Sequence, residues 1–359
     1  MHKRINVTKS FLPPLEEYQE YLKIIWDNEQ LTNQGPLLKE FEAKASEYLG
    51  VENFHFVTNG TIALQVALKA LGIEDGEVIT TPFTYVATTS AIMWERCTPV
   101  YVDIDPKTLN IDPSKIEEAI TPNTKAILAV HVFGNPCDVE AIEEIAKKHN
   151  LKVIYDAAHA FGVQYKGKSL LDYGDISICS FHATKLFHTI EGGALVIKDK
   201  RVSDVVELTK RFGHDGDDHK QLGINAKSDE FRAAMGLCNL RYVDRIIEDR
   251  KRLHELYDEH MHGAGQKQYH FPGVTYNYSY YPIILNSQSQ LIEALGALEK
   301  DGIYPRRYFY PSLNTLKYLD KNPKCPISEE IAGRILCLPL YVGLESDEIK
   351  KICTLLGEI

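Results

Sequence analysis

The sequence has no hydrophobic run long enough to cross a membrane. None of its apolar stretches reaches the roughly 18 consecutive residues that a membrane span needs. The chain opens with MHKRINVTKSFLPP, which has basic residues but no apolar centre. We therefore expect neither a signal peptide nor a membrane partner, and we expect a cytoplasmic protein.

A strongly basic surface is also missing. The chain of 359 residues carries a net charge of −10, and no long run of lysine or arginine interrupts it. Nucleic acid and anionic membranes are therefore disfavoured as main partners, whereas a local pocket for a phosphate group remains compatible with the charge.

Cysteine is scarce and has no pattern. The seven cysteines are odd in number and form no CxxC pair, so we expect reduced thiols and neither disulfides nor a zinc site. Acidic and histidine residues concentrate in the stretch RFGHDGDDHKQLGIN (211–225). Their spacing fits no fixed set of metal ligands, so we interpret this stretch as a polar loop and predict no metal site.

The residues that are present predict an α/β protein. Hydrophobic residues make up 44% of the chain and charged residues 25%, as is usual for a globular protein. Short apolar runs alternate with helical patterns, which is typical of a largely parallel sheet. The ligand of such a sheet lies at the carboxyl ends of its strands. The predicted strands are 54–57, 77–82, 98–105, 124–133 and 151–156.

A lysine follows the next strand. Ile176 and Ile178 predict a buried strand that ends at Ser180, and Lys185 comes five residues later in a loop. Most lysines are solvated surface charges. The alternative is an amine held in a pocket, partly removed from water and able to form a Schiff base with an aldehyde.

Other strand ends carry polar groups with two interpretations each. The turn at 58–61 precedes an apolar helix and could cap that helix or bind a phosphate. Tyr85 could pack in the core or offer a flat face to a ring. Asp156 could cap a helix or pair with a protonated pyridine nitrogen. His159, three residues later, could be a structural hydrogen bonder or face the same pocket.

Several of these motifs stand in a diagnostic order. The motifs are TNGT (58–61), FTYVAT (83–88), YDAAHAFG (155–162), SFHATK (180–185), EGGA (191–194) and GINAKSDEFRAAMG (223–236). Together they resemble the DegT/DnrJ/EryC1/StrS family of pyridoxal-phosphate-dependent sugar aminotransferases, and the similarity runs from LTNQGP (31–36) to LCLPLYVGL (336–344).

The resemblance implies a fold and a set of partners. The fold would be that of aspartate aminotransferase, fold type I of the pyridoxal-phosphate enzymes. Residues 1–244 would form a large α/β/α domain with a mainly parallel sheet, and residues 245–359 a smaller C-terminal α+β domain. The protein would be a homodimer with shared active sites, and it would take L-glutamate and a nucleotide-linked keto sugar.

The resemblance also implies roles for individual residues. Lys185 would form the Schiff base with pyridoxal 5'-phosphate and move the proton between cofactor and sugar. Asp156 would hold the pyridine nitrogen, Tyr85 would stack on the ring, and His159 would contact the ring's phenolic oxygen or lie beside it. The phosphate would be bound by Gly60, Thr61, Ser180 and, from the neighbouring subunit, Asn225. The substrate would be bound by His182, Glu191, Tyr308 and Arg306, with Arg307 as the alternative arginine.

Within the family, the run SFHATKLFHTIEGG resembles enzymes that aminate C4 of a nucleotide-linked 4-keto-6-deoxy sugar. It is especially similar to those that make dTDP-4-amino-4,6-dideoxyglucose for surface polysaccharides such as O-antigen. C3 aminotransferases more often have tyrosine-proline in place of His182-Ala183 and glutamine in place of His159.

Three alternatives stay open. One is a C3 aminotransferase that acts on a 3-keto sugar nucleotide. Another is a sugar dehydratase on the same fold, a branch that has histidine at the position of Lys185. The third is a non-catalytic regulator, which would not need Lys185 and Asp156 together, and no basic patch or pair of DNA-binding helices supports it.

Overall fold

The computed structural model describes residues 4–261, 263, 265–319 and 323–359. Its α-helices are α1 Leu15–Asn28, α2 Pro36–Leu49, α3 Gly60–Ala70, α4 Val86–Trp94, α5 Val139–His149, α6 Lys200–Thr209, α7 Glu230–Leu240, α8 Val243–His260, α9 Gln288–Lys300, α10 Pro326–Arg334 and α11 Ser346–Gly357. Within these ranges, no helix combines the length and the apolar character of a membrane crossing.

The strands are short. They are β1 Ile5–Asn6, β2 Phe54–Val57, β3 Glu77–Thr80, β4 Thr98–Tyr101, β5 Thr124–Val130, β6 Lys152–Asp156, β7 Gln164–Tyr165, β8 Lys168–Ser169, β9 Ile176–Ser180, β10 Gly193–Ile197, β11 His214–Asp215, β12 Asp218–His219, β13 Val274–Thr275, β14 Tyr281–Ile284, β15 Ile303–Tyr304 and β16 Ile335–Leu338.

A seven-stranded sheet forms the centre of the molecule, in the order β2-β10-β9-β6-β5-β3-β4. Strands β4, β3, β5, β6 and β9 pair in parallel, whereas β10 runs antiparallel to both of its neighbours. The pairing sets Asp156 of β6 beside Ile178 of β9 and beside Val130 of β5. The mainly parallel sheet predicted from the apolar runs is therefore confirmed.

Helices cover both faces of this sheet. One core joins the sheet to α2, α5 and α7, and includes Phe41, Tyr155 and Leu237. The other joins it to α3, α4 and α6, and includes Leu64 and Ile178. The strands of this sheet, apart from the edge strand β4, are almost wholly buried because helices cover both faces of the sheet. This burial explains why their sequences are continuous apolar runs.

The C-terminal part has its own core. The antiparallel pair β14–β16 packs with α8, α9 and α11, around side chains such as Leu253, Leu291 and Ile352. The N-terminal strand β1 joins this core, because Ile5 pairs with Ile303 of β15. The predicted domain boundary at 244/245 falls in the first turn of α8 and stays a prediction.

A separate apolar cluster connects the C-terminal part to the sheet. It brings Phe83 and Phe133, which follow strands β3 and β5, against Tyr280 and Phe309. This sheet–C-terminal cluster lies directly beneath the candidate site described below.

Several elements differ from the sequence-based expectation, among them the predicted strands 98–105 and 124–133, which end at Tyr101 and Val130. The apolar pattern of residues 229–262 predicts one long helical stretch, whereas the structure has two helices, α7 and α8, with a break at Arg241 and Tyr242. Residue 262 lies outside the described part. Residues 113–120 also predict a helix from their sequence, but they form two short 3-10 turns, Pro113–Lys115 and Glu117–Ala119. The run IYPRRYFYP (303–311) predicts a strand, but the strand is limited to β15, because Pro305 and Pro311 have no N–H to donate to a strand ladder.

Candidate active site

The candidate site is a pocket of about 290 Å³ at the carboxyl ends of the sheet strands. It receives side chains from the turn after β2, from the ends of β6 and β9, and from the C-terminal part. Most residues expected from the sequence line it: Gly60, Thr61, Tyr85, Asp156, His159, Ser180, His182, Lys185, Glu191, Arg306 and Tyr308. Asn225 does not line this pocket; it is exposed and its backbone pairs with Arg211.

Asp156 ends β6 and is buried. Its Oδ2 accepts a hydrogen bond of 2.8 Å from the Thr88 hydroxyl, and its Oδ1 accepts one of 3.1 Å from the Ala158 N–H. Burial raises the pKa of Asp156, while the Thr88 and Ala158 donors and the Lys185 amine act in the opposite direction. The site therefore holds a carboxylate whose charge depends on its donors.

Lys185 lies in the loop after β9 and is half-buried. Removal of its amine from water lowers the pKa of Lys185, and the charge of Asp156 opposes that shift. The backbone N–H of Lys185 donates to the His182 carbonyl at 2.9 Å, and its Nζ lies 3.5 Å from the Tyr280 hydroxyl. An amine with a lowered pKa releases its proton more readily, which favours a role in proton transfer and in Schiff-base chemistry.

His159 lies on the floor of the pocket, above the sheet–C-terminal cluster. Its Nδ1 accepts a hydrogen bond of 3.1 Å from the Phe133 N–H. Burial lowers the pKa of His159 well below its ordinary value, so the ring is neutral. A neutral ring that accepts at Nδ1 carries its proton on Nε2, which makes Nε2 a donor.

The rings around His159 hold it in a fixed orientation. Phe309 and Phe133 are nearly parallel to it, at ring-centroid distances of 5.8 and 6.1 Å. The Tyr280 ring lies closer, at 4.6 Å, and is tilted. His159 therefore has little room to turn its donor away from the pocket.

The turn after β2 places the N-terminus of α3 at the pocket. Asn59 caps α3 by accepting a hydrogen bond of 2.9 Å from the Ile62 N–H. Gly60 is the first residue of α3, and a Cβ there would stand 3.0 Å from the Ser180 Cβ. At Gly193 a Cβ would stand 2.5 Å from the Asn59 carbonyl carbon. The two glycines therefore let a helix N-terminus, with its free N–H groups, lie against the end of β9, an arrangement suited to a phosphate.

Two polar side chains stand at the mouth of the pocket. His182 Nε2 lies 3.6 Å from Glu191 Oε1, and both side chains remain about half exposed. On its other nitrogen, His182 makes a hydrogen bond of 2.8 Å with the Thr184 hydroxyl. These two groups are available to a ligand that enters from solvent.

The two neighbouring arginines point in different directions. Arg306 lines the pocket, with its guanidinium 5.1 Å from the centre of the Tyr308 ring. Arg307 stacks on Tyr310 at 3.3 Å and donates to the Gly333 carbonyl at 3.4 Å. Of the two, Arg306 is the one whose position fits a substrate contact.

The sequence did not reveal every residue of the site. Thr88 belongs to the motif FTYVAT, but Thr84 precedes α4, so the spacing of the two threonines gives no helix-face signal for their contact. The runs YSYYPIIL (278–285) and IYPRRYFYP (303–311) predict strands, which places Tyr280 and Phe309 in strands and assigns them no role in the site. No local pattern marks them, because they reach the pocket only through the packing of the C-terminal part.

Comparison with known proteins agrees with this geometry. The family model described as the DegT/DnrJ/EryC1/StrS aminotransferase family matches residues 15–357. The dTDP-4-amino-4,6-dideoxy-D-glucose transaminase of Shigella dysenteriae is 46% identical over an alignment that covers 100% of each chain. The transaminase of the same name from Escherichia coli is 41% identical and covers 99% of this chain and 98% of its own.

A solved structure matches as well. The crystal structure of DesI in the presence of its TDP-sugar product has a TM-score of 0.94 and 32% identity, and covers 99% of this chain and 93% of that one. Together with the match to the family model over nearly its full length, this establishes that the chain belongs to the DegT/DnrJ/EryC1/StrS aminotransferases, pyridoxal-phosphate-dependent enzymes of fold type I.

Proposed function

We propose that this enzyme transfers an amino group from L-glutamate to C4 of dTDP-4-keto-6-deoxyglucose. The product would be dTDP-4-amino-4,6-dideoxyglucose, used for surface polysaccharide. The observation that carries the substrate assignment is the full-length similarity to two transaminases named for this product. The reaction class has independent support from the amine of Lys185 and the carboxylate of Asp156 in one pocket.

The residues of the pocket fit pyridoxal 5'-phosphate. The buried carboxylate of Asp156 suits a pyridine nitrogen, and the Nε2–H of His159 suits the ring's phenolic oxygen. The helix N-terminus at Gly60 and Thr61, with the Ser180 hydroxyl, suits the phosphate. When bound, this cofactor supplies an electron sink that stabilises negative charge on the carbon next to the transferred nitrogen.

The chain itself supplies the proton transfer. Lys185 is the general base and acid, because burial of its amine lowers the pKa of Lys185 and so favours release of its proton. Asp156 keeps negative charge opposite the pyridine nitrogen. Tyr85, which is largely exposed at the pocket edge, offers its ring as the stacking face.

The polar groups at the mouth are proposed to orient the sugar. His182, Glu191, Arg306 and Tyr308 would bind its hydroxyl and phosphate groups, so that C4 lies above Lys185. A sugar turned to present C3 would leave some of these groups unpaired, at a cost of about 1–3 kcal/mol for each one buried.

The proposal includes a homodimer in which each subunit completes the other's site. Asn225 is exposed and lies outside the pocket of its own chain, so it is free to serve a second subunit. Large apolar side chains are exposed nearby, with Leu222 74% and Phe212 46% accessible, and a partner surface would cover them. All seven cysteines lie in the described ranges as buried free thiols, which supports a reducing compartment such as the cytoplasm.

The test supplies two nucleotide sugars separately. Wild-type protein loaded with cofactor is incubated with L-glutamate and either dTDP-4-keto-6-deoxyglucose or its 3-keto isomer, and the product is identified by NMR. We expect an amino group at C4 of the first sugar and little turnover of the second. Turnover of the 3-keto sugar alone would replace the C4 assignment with a C3 one, and turnover of neither would reject this substrate class.

A further inference from the structure

The hydroxyl of Thr88 is hydrogen-bonded to the carboxylate that would hold the pyridine nitrogen. Thr88 lies on α4, is fully buried, and its Oγ1 is 2.8 Å from Asp156 Oδ2. We propose that Thr88 is a positioning residue that orients Asp156 and keeps it ionised for the cofactor, an inference that rests on the proposed aminotransferase function.

The direction of the hydrogen bonds follows from the groups involved. An ionised carboxylate only accepts hydrogen bonds, so the Thr88 hydroxyl must donate its one proton to Asp156. Thr84 Oγ1 lies 3.1 Å from Thr88 Oγ1 and is also buried. Because the Thr88 proton is already used, Thr84 donates to Thr88. The hydrogen bonds therefore run in one direction, from Thr84 to Thr88 and from Thr88 to the Asp156 carboxylate. Each of these hydrogen bonds polarises the next.

This arrangement leaves Asp156 with free acceptor capacity. A carboxylate has about four acceptor sites. Thr88 occupies one on Oδ2, and the Ala158 N–H occupies one on Oδ1. The remaining sites are available to a donor in the pocket, such as a protonated ring nitrogen.

Three titratable groups lie near Asp156, and of these the Lys185 amine acts on its charge. The Lys185 amine favours the carboxylate form, the buried Cys179 thiol is uncharged because burial raises the pKa of Cys179, and the neighbouring His159 ring is neutral. Burial itself raises the pKa of Asp156. Thr88 supplies the side-chain hydrogen bond that opposes this rise, so its removal would raise the pKa further.

The neighbouring Thr89 offers a matched control. It lies on the same helix, is equally buried, and its hydroxyl is 2.8 Å from the hydroxyl of Tyr101 and not from Asp156. Burial raises the pKa of Tyr101 to about 12, so this pair does not titrate between pH 4 and 8. Thr88→Val and Thr89→Val each remove one buried hydroxyl. Only the hydroxyl of Thr88 donates to the Asp156 carboxylate.

The first measurement uses cofactor-free protein, so it does not depend on activity. The pKa of Asp156 is raised in the folded protein, so its contribution to stability falls as pH rises from the unfolded value of about 4. Thr88→Val raises that pKa further, and we expect its destabilisation relative to wild type to grow between pH 4 and pH 8. Each unit of additional pKa shift corresponds to about a tenfold change in the unfolding equilibrium constant. Thr89→Val should lose the same stability at both pH values.

The second measurement uses the cofactor-loaded enzyme. We expect Thr88→Val to lower kcat by about tenfold to a hundredfold, the equivalent of one hydrogen bond to a charged group, with a smaller change in KM. Thr88→Ser, which keeps the hydroxyl, should restore both kcat and the wild-type pH profile of stability. In an Asp156→Asn background, Thr88→Val should lose its pH-dependent effect.

The outcomes separate this inference from the proposed function. If Thr88→Val and Thr89→Val have the same pH dependence of stability, or if Thr88→Ser fails to restore it, the positioning role is overturned whatever the enzyme's substrate. If Thr88→Val does not fold, Thr88→Ala is compared with Thr89→Ala by the same criteria. A pH-dependent Thr88 effect in a protein that aminates no sugar would reject the proposed function and leave the Thr88–Asp156 coupling in place.

Discussion

The backbone N–H of Phe133 donates to Nδ1 of His159 at 3.1 Å, and this contact determines the tautomer of a buried ring. Because Nδ1 is an acceptor, the proton of the neutral imidazole lies on Nε2. The backbone of the turn after β5 thereby converts a titratable side chain into a fixed hydrogen-bond donor.

This relationship predicts how His159 behaves as the pH changes. Burial holds the pKa of His159 well below 6.5, so we expect no transition of the imidazole in the pH–rate profile between pH 6 and 9. His159→Gln, whose amide nitrogen can donate from a similar position, should retain the shape of the profile. His159→Phe keeps the stacked ring but loses the hydrogen-bond donor, and we expect its affinity for the cofactor to be about tenfold to a hundredfold lower. An acid limb near pH 6.5 that disappears in His159→Gln would contradict the neutral tautomer.

Lys185→Ala should abolish activity and covalent retention of the cofactor. The wild-type enzyme should keep a visible absorption band after dialysis, whereas the variant should lose it, because no amine remains to bond to the aldehyde. Lys185→Arg keeps the charge and should be equally inactive. Lys198→Ala, which removes an exposed lysine just after β10, is the control and should retain the band. A wild-type protein that cannot be given the band by added pyridoxal phosphate would refute the cofactor assignment.

Asp156→Asn should retain the cofactor but lose most of the transaminase activity. The neutral amide still accepts from the Ala158 N–H, so the local turn is preserved, but it no longer favours a protonated pyridine nitrogen. The measurement is kcat together with the bound cofactor per subunit. Transamination at the wild-type rate would mean that Asp156 serves only as a cap for the turn that follows β6.

Asn225 should act across a subunit interface. Asn225→Asp places a negative charge where a phosphate is expected, and loss of one hydrogen bond to a charged group costs about 1.5–3 kcal/mol. Mixed dimers of inactive Lys185→Ala and inactive Asn225→Asp subunits would contain one intact site each, so we expect activity to reappear on mixing. Mixed dimers that form, as native mass spectrometry can verify, but stay inactive would contradict a role in trans.

The parts of the fold that depend on residues adjacent in the sequence could be predicted from the sequence. Short apolar runs predicted the strands of the central sheet, because both faces of a covered parallel sheet select apolar side chains. The polar residues at or after the ends of these strands indicated Asp156 and Lys185. The resemblance of ordered motifs added further residues that line the pocket, such as Gly60, His182 and Glu191. Asn225 lies outside the pocket of its own chain, so its assignment stays a prediction.

Contacts between distant segments could not be predicted in the same way. Tyr280 reaches the Lys185 amine, and Phe309 stacks on His159, only because the C-terminal part packs against the sheet. The break between α7 and α8 was missed for a related reason. The helical pattern continues through Arg241 and Tyr242, and these residues make tertiary contacts with Glu17 that no helical periodicity encodes.

The sheet–C-terminal cluster has a thermodynamic consequence. The pocket floor is built from both sides of that contact, with Phe133 from the sheet and Tyr280 and Phe309 from the C-terminal part. A ligand that touches both sides binds only while they are joined, so its binding free energy is added to the free energy that holds them together. Saturation with cofactor or substrate should therefore slow proteolytic cleavage of the C-terminal part, and loosening of that part should lower ligand affinity by the same factor.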